Sequence, residues 1–218
     1  MKNVLKIAGV LALAAGTASA DIALDLPSNH VMLPASAVSA RPLDSVDTNR
    51  GAPMYSSIPG PYSALAASAF AHRDDYVSIH PATSSGTFLM DAWRFVGGVT
   101  AVGMTLDFFF LDAGLNIVSS FGVPLSSAGN FIWTITPTVP APVANGGFLQ
   151  IQVRAGSTGQ WFATSTAAAP GSNSFASGHG STFSSGPKIA AFEIQALPTP
   201  GALALLGMGG LVATRRRR

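Results

Sequence analysis

The chain has 218 residues, no cysteine, and twelve basic against ten acidic side chains for a formal charge of +2. Without cysteine there is no disulfide framework, so an apolar core must hold the fold. Six of the basic residues, Lys2, Lys6 and Arg215 to Arg218, sit at the two ends, and the remaining six face ten acids, a body charge of −4 that argues against nucleic-acid binding.

Residues 1–20 open with Lys2 and Lys6, continue through an apolar stretch at 7–15 and close on Ala18, Ser19 and Ala20. That basic, apolar and small-residue order is the pattern of a secretory signal helix, cut by signal peptidase between Ala20 and Asp21. An ordinary core helix over 4–20 is the alternative, and it would not be expected to carry this order at the extreme N-terminus. Residues 21–65 are rich in Pro, Ser and Ala with no sustained alternation, and read as an irregular arm with strand fragments at 22–26 and 29–33. A short helix is predicted over 65–72, at the start of a domain spanning 66–197.

From Asp75 onward the pattern has period two. Strands are predicted at 76–80 and 87–95. Residues 105–111 carry Leu106, Phe108 and Phe110 on one side and Asp107, Phe109 and Leu111 on the other, a central strand with both faces largely covered. The turn chemistry of 112–116 joins it to 117–123 as a hairpin. Alternation continues with Phe131, Trp133 and Ile135, and with Leu149, Ile151 and Val153 against Gln150, Gln152 and Arg154. Further strands are predicted at 160–164 and 190–195, separated by a long Ala/Ser/Gly-rich loop over 166–188. Strands recurring about every twelve residues, with no long 3.6-residue period between them, predict an all-β fold: an antiparallel β-sandwich of jelly-roll type.

The chain closes on Pro198, Thr199 and Pro200, an uncharged run at 201–214 rich in Gly, Ala and Leu, and four arginines, Arg215, Arg216, Arg217 and Arg218. As a helix that run covers about 21 Å, short of the roughly 30 Å hydrocarbon core of a bilayer. It is therefore a poor permanent anchor, although an uncleaved tail anchor is the alternative reading. The arginines would stay on the cytoplasmic side and leave the body outside.

The order Pro-x-Pro, short hydrophobic segment and terminal arginine cluster over 198–218 resembles the PEP-CTERM signal of bacterial exosortase substrates. The resemblance covers about a tenth of the chain, and Thr199 stands where that family most often has Glu. It implies transient retention in the inner membrane, cleavage near the motif by an exosortase-like membrane enzyme, and release to the cell surface or extracellular matrix.

Chemistry is sparse. The Gly-x-Ser-x-Gly pentad of an α/β hydrolase is absent, and the chain reads as non-enzymatic; a surface hydrolase is the third reading, since four histidines among many serines and acids leave a convergent triad open. Asp74 and Asp75 with His80 are candidate metal ligands, because carboxylate oxygens suit calcium and imidazole suits zinc. Asp112 and Asn116 form a second candidate calcium pair, although turns favour Asp and Asn for backbone reasons alone. Otherwise no cofactor is expected. For an exopolysaccharide ligand, sugar rings would stack on an exposed aromatic. Trp93 and Trp133 share faces with core residues, so Trp161, expected opposite a buried Phe162, is the aromatic predicted to face solvent.

Overall fold

The computed structural model describes residues 23–44, 53–64, 71–80, 86–173 and 189–196. Among them the chain is all-β. Its strands are β1 (Val31–Met32), β2 (Val38–Arg41), β3 (Pro53–Ser56), β4 (Tyr62–Ala64), β5 (Ala71–Val77), β6 (Thr87–Val99), β7 (Thr105–Asp112), β8 (Ile117–Pro124), β9 (Gly129–Ile135), β10 (Ala141–Ala144), β11 (Gly146–Val153), β12 (Gly159–Thr164), β13 (Ile189–Ala190) and β14 (Phe192–Ala196), with a single 3₁₀ turn at Ala35–Ala37.

The strands form two sheets packed as a sandwich. The smaller has the order β1-β8-β7-β11-β5, antiparallel except for the parallel β1-β8 pair. The larger is organised around β6, a thirteen-residue strand that pairs with β10 near its start, with β9 and β14 along its middle, and with β12 at its end. Gly97 and Gly98 permit that last convergence. A Cβ on Gly97 would lie 2.5 Å from the Gln160 carbonyl, and one on Gly98 would collide with the Gly129 carbonyl. Only residues without side chains let β12 and β9 approach β6 from both sides there.

Aromatic rings fill the space between the sheets. Trp93 of β6 meets Phe108 and Phe110 of β7 at 5.6 and 5.5 Å and Phe121 of β8 at 5.0 Å, and Phe95 meets Phe108 at 5.0 Å. Each contact joins one sheet to the other. Burial of each such side chain stabilises by about 1.5–3 kcal/mol. A second, smaller apolar cluster lies on the outer face of the larger sheet, where Ile58, Val96, Ile132, Phe162 and Ala191 pack with Leu43 and Tyr62. The larger sheet is thus covered on both sides.

The β7-β8 hairpin turns through residues 112–116 as its sequence predicts, and β7 is buried on both faces from Leu106 to Leu111. Several features differ from the sequence reading: the strand predicted at 76–80 is observed at Ala71–Val77, residues 23–26 form no strand, and Ala141–Ala144 adds one that was not predicted. The arm supplies β1 to β4, which attach by backbone pairing to longer strands and need no alternation of their own. Ala71 and His72, placed at the end of a helix by the sequence, begin β5 instead; residues 65–70 of that predicted helix lie outside the described residues. The predicted loop at 166–188 is described only to 173, where Ser172 bridges to Val77. The helices predicted for the N-terminal signal segment and the C-terminal hydrophobic run both fall outside the described residues, among which no helix is long and apolar enough to cross a membrane.

Candidate functional site

Trp161 is not a surface residue. It is 1 % exposed, and its indole N–H donates to the Ala191 carbonyl at 3.2 Å. The expectation rested on one wet face for β12. Phe162 is indeed buried on the outer face, by the second cluster, but Trp161 opposite it belongs to the main core beside Phe192 at 5.8 Å. Trp93 and Trp133 are equally enclosed, so all three tryptophans of the chain are interior.

Asp74, Asp75 and His80 do not converge. Asp74 and Asp75 project to opposite faces of β5, as neighbours on a strand must. Asp74 points into the sandwich at 2 % exposure, where it accepts hydrogen bonds from the backbone N–H groups of Ala190 at 2.5 Å and Asp75 at 3.0 Å. It is an interior group. Burial pushes its carboxyl up to about 8, the nearby Asp75 charge adding to the rise and the two N–H donors opposing it. His80 stacks on Phe88 with centroids 4.7 Å apart and rings 10° from parallel.

At the hairpin turn Asp112 accepts hydrogen bonds from the Asn116 backbone N–H at 2.9 Å and from its side-chain amide at 3.0 and 3.2 Å. These bonds hold the exposed Asp112 carboxyl below its ordinary value. The Asp112 oxygens and the Asn116 amide thereby serve the turn. Among the described residues no group of three His, Asp or Glu side chains is placed to share a metal ion.

The structure assembles a different cluster, on the outer face of the smaller sheet. Arg73 of β5 donates from Nε and Nη2 to Gln150 of β11 at 2.8 and 2.6 Å. Asp107 of β7 accepts from Arg154 through Nε at 3.1 Å and Nη2 at 2.5 Å. His30, from the arm, brings Nε2 within 3.2 Å of Asp107 and Nδ1 within 3.1 Å of the Ser120 hydroxyl. Ser120, His30 and Asp107 therefore stand in line as in a hydroxyl-activating relay. Two features direct the arrangement toward holding the arm: Asp107 is already bound by Arg154 through both oxygens, and Ser120 is buried in mid-strand. The sequence carried one signal of it, a lone carboxylate, Asp107, inside an otherwise apolar strand. Its partners are 47 and 77 residues distant and could not be paired by spacing.

Beside this cluster an apolar groove of about 350 Å³ runs between β8 and the segment before β10, lined by Val31, Leu33, Val118, Phe121, Val139 and Ala141 among others. Ala20 and Asp21, and Pro198, Thr199, Pro200 and Arg215 to Arg218, lie outside the described residues. The chain matches no protein-family model, no curated protein and no solved structure.

Proposed function

We propose that this protein is a secreted, non-enzymatic component of the cell surface or extracellular matrix, exported behind a signal peptide and sorted through its C-terminal tail by an exosortase-like membrane enzyme. The observation that carries the reading is the layout of the two ends: a basic, apolar and small-residue leader at 1–20, and Pro198-Thr199-Pro200 followed by the uncharged run and Arg215 to Arg218. The described domain fits this layout. β14, the last described strand, ends at Ala196, so only Leu197 separates it from Pro198.

Within this reading a structural or adhesive role is favoured over a carbohydrate-binding module for exopolysaccharide, because the three tryptophans are interior and the exposed large apolar side chains of the described residues are aliphatic. The test is replacement of Arg215 to Arg218 by glutamine in the producing cell, which is expected to leave uncut precursor in the membrane fraction. Maturation and release at the wild-type rate would overturn the sorting proposal.

A further inference from the structure

Residues 23–33 cross the outer face of the smaller sheet and are held there chiefly by polar contacts. The Leu24 N–H donates to Gln152 Oε1 at 2.8 Å, and Gln152 Nε2 donates back to the Leu24 carbonyl at 3.1 Å. Six residues on, the His30 N–H closes a turn onto Pro27 at 2.9 Å, and its ring settles between Ser120, Asp107 and Arg154, 6.2 Å from the Phe109 ring. The backbone bond from Leu33 N–H to Gly122 at 2.9 Å ends the contact. Of the apolar side chains here, Leu26, Val31 and Met32 remain about half exposed, and only Leu33 enters the core. Gly122 makes the seat: a Cβ there would collide with the Met32 sulfur and lie 2.8 Å from Arg154 and 3.0 Å from His30.

We infer that residues 23–33 form a detachable clasp on the smaller sheet, closed by neutral His30 and opened in acid. A segment with few buried apolar contacts opens at far lower cost than the sheet beneath it. The groups facing the ring are Asp107 from β7, Arg154 from the residue after β11, and the uncharged Ser120 of β8 and Phe109 of β7. Asp107 and Arg154 already neutralise one another, so a proton added to His30 enters a buried site with no spare negative charge and a guanidinium 3.2 Å away.

Burial holds the imidazole below its ordinary 6.5, with Arg154 acting in the same direction and Asp107 opposing. The sign follows. A ring whose pKa is lower when seated contributes fully to closure above 6.5, and that contribution is lost as pH falls through the seated value. Opening removes β1 from β8 and leaves Phe121 and Gly122 on an uncovered sheet edge, the feature through which sheets recruit other chains.

The experiment is hydrogen exchange on the full chain at about pH 7.5 and about pH 5, corrected for the intrinsic rate, on either side of the histidine range. The amides of Leu24, His30 and Leu33 are expected to lose protection in acid relative to those of β7 and β11. In a His30→Gln chain, which keeps a hydrogen-bonding side chain but cannot take up the proton, that pH dependence is expected to vanish, whether its clasp rests closed or open. Equal protection of the wild-type clasp at both pH values, or a loss that persists in His30→Gln, would overturn the inference.

Discussion

The Trp161 indole N–H and the Ala191 carbonyl meet at 3.2 Å inside the sandwich, joining β12 to the link between β13 and β14. Trp161 is thereby a structural residue on both counts, hydrogen bond and packing. Trp161→Ala is expected to cost about 3–5 kcal/mol, seen as a lower urea midpoint at unchanged slope. Trp161→Phe should stay folded and should leave sedimentation with purified exopolysaccharide unchanged, since no sugar reaches an enclosed ring. An Ala variant as stable as wild type would contradict the placement.

Arg94 and Glu193 face one another across β6 and β14 at 3.4 Å, both side chains almost fully enclosed. Glu193 also accepts from Ser56 at 3.0 Å and Gln195 at 2.6 Å. Removing the carboxylate takes from the buried Arg94 guanidinium the Glu193 charge it faces and leaves the Ser56 and Gln195 donors without their acceptor. Glu193→Ala is therefore expected to destabilise by about 3–5 kcal/mol in denaturant titration, and a loss below about 1 kcal/mol would place the pair at a solvated surface.

Asp74 makes global stability depend on pH in an unusual direction for a carboxylate. A group raised on folding from 3.8 to about 8 holds its proton more tightly in the native state, so its contribution is complete below 3.8 and is lost as pH rises through about 8. The unfolding free energy should fall between those limits, and the slope should flatten in Asp74→Asn. A curve that rises over the same window would rule out a protonated interior Asp74.

Leu115 occupies the left-handed region at φ 65° in the hairpin turn and is about half exposed. Glycine adopts that conformation without the Cβ penalty. Leu115→Gly is expected to be neutral or to raise stability by up to about 1 kcal/mol in thermal unfolding. A marked loss would mean that the leucine packs against a neighbour.

Legibility in the sequence followed the length of each element and the number of its wet faces. β7, β8 and β11 are long enough to show their pattern, and the hairpin between β7 and β8 announces itself through Asp112 and Asn116. β1 and β4 have two and three residues, too few for any period, and they exist because a longer strand offers them an edge. Trp161 misled for a related reason. Period two tells the faces of β12 apart, but the dryness of the second face comes from Ile58 and Tyr62, a hundred residues earlier. Asp107, His30 and Ser120 belong to separate segments, and only the sheet register sets them side by side.

β14 is the last described strand, and it lies between β6 and β3, contributing Phe192 and Ile194 to the core. The order in which the polypeptide is made is thus opposed to the order in which its larger sheet can close. Until residues 192–196 arrive, β3 lacks its partner and Tyr55 lacks the ring against which it packs at 4.6 Å. Among the described strands, completion of the larger sheet thus waits on delivery of residues 192–196.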